Sequence, residues 1–237
     1  MLLFPRRYLG RCYQGYAICR SLGQGRYGNC FAAQAPDGSQ VVLKRFHNRM
    51  KKKNTGRNHF EPVILSMLKH PSIPDLLGVI NEGKDYFFVL EYMPGVTIEQ
   101  LLFREHHRFT PEETSNIGFQ LIDLIAYLHQ NGIVHRDIRI SNVLYHQGKI
   151  SLVDFGLARF ADQDRYRLDS DFSYLGDFLL YLLYSNSPTN KFRRHRPWYD
   201  ELPLSDGQME FLKRLLGLET PYATIEQVRE HFFVFMC

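Results

Sequence analysis

At Thr110 the hydrophobic pattern changes from short β-rich runs to helical repeats, and that switch narrows the fold class before any motif is considered. Thr110 suits an N-cap, Pro111 the first helical position, and Glu113 stands three residues after the cap, as a capping box requires. The periodic run Ile117, Leu121, Leu124, Ile125 and Leu128 follows, and Asn131-Gly132 ends it. A second apolar helix is predicted over about Phe172 to Tyr184, and two more after Ser205 and Thr224, each with Gln three residues on. Upstream, YAICRSL, NCFAAQ, VVLKRF, VINEG and DYFFVLEYM read as strands, and Asp37-Gly38 marks a hairpin. Between them HFEPVILSMLKH places Phe60, Ile64, Met67 and Leu68 at helical spacing, with Pro62 tolerable only in the first turn. The expectation is an α+β chain whose β-rich front meets a helical rear near Glu91-Tyr92-Met93-Pro94-Gly95, where a strand stops at a Pro-Gly turn.

A length of 237 residues with 44% hydrophobic composition supports one large or two small cores, and no window is dominated by one or two residue types. The net charge of +4 is too small to demand nucleic acid, and no clear nucleic-acid signature accompanies it. Cys12, Cys19, Cys30 and Cys237 are too widely spaced for a metal or redox pair, which favours a reduced, cytoplasmic setting. Arginines interrupt the N-terminus where a signal peptide needs an apolar stretch, and no run approaches the roughly 18 apolar residues of a membrane span. Two basic stretches stand out: Lys44 to Arg57 with seven Lys and Arg, and Arg193-Arg194-His195-Arg196. They read as solvated loops, with an anionic partner, an acidic protein or an RNA surface, as the functional alternative. His106-His107 has no acidic or cysteine neighbour at metal spacing and reads as surface.

Gly23-Gln24-Gly25-Arg26-Tyr27-Gly28 lies between two strand-like runs, which argues against a dinucleotide fold. Glycines there let backbone N–H groups approach phosphate oxygens, although a plain hairpin turn would look the same. Lys44 ends an apolar strand; it is either a solvated edge residue or a buried cation that needs an anion such as Glu61. The sharper cluster is Ile133-Val134-His135-Arg136-Asp137-Ile138-Arg139-Ile140-Ser141-Asn142, followed by Ile150-Ser151-Leu152-Val153-Asp154-Phe155-Gly156. Two carboxylates and an Asn on loops beside short apolar strands suit a divalent metal and a hydroxyl nucleophile.

In this order and spacing the motifs resemble those of the eukaryotic-type protein kinase family across nearly the whole chain. The resemblance implies a two-lobed α+β fold as one domain over 1–237: an N-lobe over 1–92 with a small antiparallel sheet and one helix, a hinge ending at 93–95, and a helical C-lobe over 96–237. It implies ATP and Mg²⁺ as cofactors. Gly23, Gly25 and Gly28 would cover the phosphates, Lys44 would pair with them, and Glu61 would hold Lys44. Asp137 would accept the hydroxyl proton, Arg139 would face the γ-phosphate, and Asn142 and Asp154 would hold the metal. Leu90 would be the gatekeeper, Glu91 and Met93 would offer hinge backbone groups, and Leu22, Cys30, Val42 and Leu144 would enclose adenine.

The departures from the family pattern fall on the substrate side. Seventeen positions separate Asp154 from Asp171, the Asp of the DxxxxG signature, so a full activation segment with its Ala-Pro-Glu motif does not fit. The late arginine that normally pairs with that Glu should fall near Tyr222, so both partners are absent together. Arg139-Ile140 replaces the usual Lys-Pro. Arg136, which often binds an activation-loop phosphate, has Tyr166, Ser170 and Ser173 nearby as phosphosites, while Asp162, Asp164 or Asp169 could pair with it permanently. The function expected is ATP- and Mg-dependent phosphorylation of Ser/Thr hydroxyls on protein substrates, without prior loop phosphorylation. The alternatives are a small-molecule kinase of the same fold and an ATP-binding, non-catalytic interaction module.

Overall fold

The Asp37-Gly38 hairpin forms as expected: Gly38 takes a positive φ of 87°, and Asp37 Oδ1 accepts from Ser39 N at 2.9 Å and Ser39 Oγ at 2.7 Å. The structure is a computed structural model that describes residues 8–24, 28–46, 60–162, 164–187 and 196–236. It divides into two units, Met1–Met93 and Pro94–Cys237. Gly25 and most of the first basic stretch, from 47 to 57, lie outside the described residues, as do Arg193, Arg194, His195 and Cys237.

In the first unit β1 (Cys12–Tyr13), β2 (Tyr16–Gln24), β3 (Gly28–Gln34), β4 (Gln40–Phe46), β5 (Leu76–Glu82) and β6 (Asp85–Glu91) form one antiparallel sheet in the order β1-β2-β3-β4-β6-β5. The period-2 geometry of strands sorts its residues between two faces. Phe31, Ala33, Val41, Leu43, Phe87 and Val89 share one face and bury together with Tyr8, Tyr13 and Ile18. Cys30, Val42, Lys44, Phe88 and Leu90 share the opposite face, where Cys30 and Val42 are only half-buried. Toward that second face comes Glu61 of α1 (Phe60–Met67). In α1 the buried stripe is Glu61, Ile64, Leu65 and, just beyond the helix, Leu68, an i, i+3, i+4, i+7 series. Met67, expected in the core, falls outside that stripe and is 54% exposed. Pro62 is the third residue of the described helix, where a missing N–H breaks no intrahelical bond.

The second unit is organised by its best-signalled helix. After β7 (Val96–Thr97) and the short α2 (Ile98–Phe103), which Thr97 caps, α3 runs over Pro111–Gln130. Its capping box is complete: Glu113 N donates to Thr110 Oγ1 at 3.1 Å and Thr110 N donates to Glu113 Oε2 at 2.9 Å. All five predicted periodic residues of α3 are buried. Three small β pairs lie beside it: β8 (Ile133–Val134) with β11 (Arg159–Phe160), β9 (Val143–His146) with β10 (Lys149–Leu152), and β7 with β9. The β9–β10 turn uses positive φ at both Gln147 and Gly148, as a two-residue hairpin demands, and Asn116 and Gln120 of α3 donate to the Gly148 carbonyl at 2.9 and 2.8 Å. Helices α4 (Ser170–Ser185), α5 (Trp198–Glu201), α6 (Asp206–Leu215) and α7 (Ile225–Met236) complete the unit. The sequence reading did not include α2 or α5. Ser205 and Gln208 form the second full capping box, whereas Thr224 only accepts from Gln227 N at 3.4 Å. A Cβ at Gly118 of α3 would meet the Phe232 ring of α7 at 2.2 Å, so only glycine allows this approach.

Tyr222, near which the resemblance leads one to expect a late arginine, is 1% exposed and lies under the Arg214 guanidinium at 4.1 Å from the ring centre. Arg214 Nη1 donates to His231 Nδ1 at 3.2 Å, and the Tyr222 hydroxyl lies 3.1 Å from the same nitrogen. A cation is therefore kept here by a neighbouring helix and stacked on a ring, with no carboxylate needed. Burial pushes the Tyr222 phenol up to about 12, with the Arg214 charge acting in the opposite sense. Burial, and then its hydrogen bond to Glu201, likewise raises Tyr184. A folded-state value raised above the ordinary 10.0 contributes stability that is complete below pH 10 and lost as pH climbs toward 12. Tyrosinate absorbance of the folded protein should therefore include late-titrating phenols, one of which disappears in Tyr222→Phe. Uniform titration of every tyrosine near the free-phenol value in folded protein would contradict this.

Candidate active site

In the first unit, the register Cys30↔Lys44↔Phe88 places Lys44 on the less covered face of the sheet, and its Nζ donates to Glu61 Oε1 at 2.5 Å. Both side chains are nearly inaccessible, at 5% and 3% exposure, so the pair is a desolvated one whose members depend on each other. The sequence left Lys44 as either a solvated edge residue or a paired buried cation; the second arrangement is the one found. Val42 is opposite Leu90 in the same register, and Leu90 is buried while Glu91 is exposed and Met93 is 9% exposed. Gly23 is opposite Cys30, but Leu22 has no partner because the register slips between Ser21 and Gly23. This bulge re-aims a 40% exposed leucine at the end of β2, next to Gly23. Gly28 opens β3.

In the second unit, β8 delivers His135, Arg136 and Asp137 into a loop whose backbone is unusual: Arg136 has φ of 66°. For a non-glycine residue that conformation needs outside support. Asp171, fully buried at the start of α4, supplies it by accepting from His135 N at 2.9 Å, Arg136 N at 2.7 Å and His129 Nε2 at 3.2 Å. The apolar residues Ile138 and Ile140 point inward, leaving Arg139 outside. Asn142 then folds back: its Nδ2 donates to Asp137 Oδ2 at 2.8 Å and to the Asp137 carbonyl at 3.0 Å. Arg139 Nη1 is 3.9 Å from Asp137 Oδ1, while its Nε donates to Ser141 Oγ at 2.8 Å.

β9 and β10 carry the chain from Asn142 to Asp154, and Val153 N donates to Asn142 O at 2.9 Å. Asp154 also has positive φ, 66°, and its Oδ1 accepts from Gly156 N at 3.2 Å. Phe155 is fully buried against the His135 ring, with centroids 4.7 Å apart, which fixes the turn after Asp154. Leu144 lies half-buried on β9. Asn142 and Asp154 fit a magnesium site by their chemistry. Engagement of the Asn142 nitrogen by Asp137 leaves its amide oxygen as the donor, and Asp154 adds a carboxylate. Among the described residues no group of three or more His, Cys, Asp and Glu forms a metal cage.

Three expectations about surrounding residues change. Asp162, Asp164 and Asp169 do not pair with Arg136: Asp162 Oδ1 accepts from the backbone of Asp164, Arg165 and Tyr166, Asp169 pairs with Arg167, and Asp164 makes no ion pair with Arg136 among the described residues. His107 does have an acidic neighbour, Glu113, at 3.3 Å. Asp171, read only as a landmark in the sequence, is the residue that supports the loop. Its place immediately before the predicted apolar helix was the available signal. Among the described residues no helix is long and apolar enough to cross a membrane.

The family model for the protein kinase domain matches residues 16–176. The probable serine/threonine-protein kinase YbdM of Bacillus subtilis is 35% identical over 228 residues, covering 91% of this chain and 87% of that protein. The CTD kinase subunit alpha of Schizosaccharomyces pombe is 36% identical over 148 residues, covering 61% of this chain and 25% of the relative. Cysteine-rich receptor-like protein kinase 37 of Arabidopsis thaliana is 29% identical over 179 residues, 70% of this chain and 27% of its own length. The chain thus spans about a quarter of the length of the latter two.

Proposed function

Because the chain belongs to the protein kinase family, we propose that it is a Mg²⁺-dependent serine/threonine kinase acting on protein substrates, with both units forming one kinase domain over 1–237. Protein phosphorylation with ATP as donor follows from the family; the acceptor type and the residue roles are our reading. The matched stretch, 16–176, runs through both units, which supports treating them as one domain.

The observation that carries the reading is the bond from Asn142 Nδ2 to Asp137 Oδ2, which orients one carboxylate oxygen and leaves the other to receive a proton. In the transfer, a bond forms between the acceptor oxygen and the γ-phosphorus, the bond to the ADP oxygen breaks, and the acceptor proton passes to Asp137. Bound magnesium supplies neutralisation of phosphate charge, with Asn142 and Asp154 as its protein ligands. Lys44, held by Glu61, places a fixed cation at the phosphates, and Gly23 and Gly28 offer backbone N–H donors, a role assigned also to Gly25, which lies outside the described residues. Arg139, exposed beside Asp137, presents a planar donor set toward the transferred phosphoryl. Leu22, Cys30, Val42, Leu90, Glu91, Met93 and Leu144 are assigned to adenine.

Incubation with γ-labelled ATP, alone, with generic protein substrates and with a metabolite pool, tests this. Label should appear on protein Ser or Thr, and Lys44→Ala should lower the rate by about 10²- to 10³-fold. Label confined to small molecules, or nucleotide binding without transfer, would overturn the reading.

A further inference from the structure

Resting on the assignment of Asp137 as the proton acceptor, we infer that the Tyr166 ring, rather than a phosphate or a carboxylate, anchors Arg136 and so positions the catalytic loop. The Arg136 guanidinium lies 4.7 Å from the Tyr166 ring centre, and its Nη1 donates to Leu157 O at 3.3 Å. Among the described residues it makes no ion pair. One side chain therefore joins three things: the backbone immediately before Asp137, the turn three residues after Asp154, and the face of an aromatic ring. An aromatic face attracts a guanidinium through its quadrupole, so no added charge is required.

The backbone that carries the ring is itself held in place. Tyr166 N donates to Asp162 Oδ1 at 2.9 Å and Asp162 N donates to Tyr166 O at 3.1 Å, closing a small loop with Tyr166 at its end. The backbone bonds from Arg165 and Tyr166 hold the Asp162 carboxyl below its ordinary value, in agreement with an ionised acceptor. Arg165 stacks on the same ring at 5.2 Å. Asp162 and Asp169 are thus occupied, by the segment's own backbone and by Arg167, Asp164 makes no ion pair with Arg136 among the described residues, and the ring takes the place they leave. Tyr166 is a positioning residue in this scheme; it touches neither nucleotide nor acceptor.

The test is steady-state kinetics of the full chain and of Tyr166→Phe, Tyr166→Leu and Tyr166→Ala, before and after phosphatase treatment, with thermal melting to establish folding. Phe keeps the aromatic face and should retain kcat within about 2-fold, while Leu and Ala should lose about 3- to 30-fold in kcat with the KM for ATP unchanged. Phosphatase should leave the wild type unaltered. A leucine variant as active as wild type would reduce the contact to packing and overturn the inference. Loss of activity in Tyr166→Phe, or on phosphatase treatment, would overturn it in favour of a phosphate. A wild type that transfers no phosphate would instead defeat the functional reading on which the inference rests.

Discussion

Asp137→Asn is expected to lower kcat by about 10²- to 10⁴-fold while the protein stays folded and keeps its affinity for ATP. The substitution preserves shape, so the bond from Asn142 Nδ2 can persist on the new amide oxygen, but the atom that should receive the acceptor proton becomes an NH₂ donor. Single-turnover transfer to a protein substrate measures the loss, and nucleotide binding with thermal melting shows that nothing else moved. A variant within tenfold of wild type would mean that the proton leaves by another route.

Asp171→Ala should have the largest effect on stability, about 3–5 kcal/mol, because it removes the buried acceptor of two backbone N–H groups and of His129. It also frees Arg136 from the force that keeps it at positive φ, so activity should fall even where the variant remains folded. Asp171→Asn retains one acceptor oxygen and should lie between. Denaturant unfolding gives the first quantity, and kcat at low temperature gives the second. If the alanine variant unfolds at the wild-type midpoint, Asp171 does not carry the loop.

Local chemistry made much of the fold legible in the sequence. The Thr110 and Ser205 capping boxes, the Asp37-Gly38 turn and the five periodic residues of α3 are encoded within a few positions, and each forms as expected. Met67 misled because a spacing of seven from Phe60 ignored the alternative stripe through Glu61, Ile64, Leu65 and Leu68. For the candidate site, the order of the motifs made the residue types readable, but their partners were not. The ring over Arg136 comes from thirty positions away, and the carboxylate under it from thirty-five. Neither has a periodicity to announce it. Pairing Arg136 with a nearby Asp was reasonable by charge, and it fails because the backbone of residues 164–166 takes Asp162 first.

The stretch from Asp154 to Asp171 has little slack. β11 ties it to β8, Ala161 N donates to Gly132 O at 2.7 Å, Asp162 and Tyr166 close on each other, and Asp171 fastens the far end to the loop of His135 and Arg136. Between Tyr166 and Asp171 remain four residues, themselves curled by bonds from Ser170 N and Asp171 N to the carbonyls of Arg167 and Leu168. A cord knotted this often cannot swing aside as one arm, and loosening it means undoing several hydrogen bonds together rather than trading one posture for another.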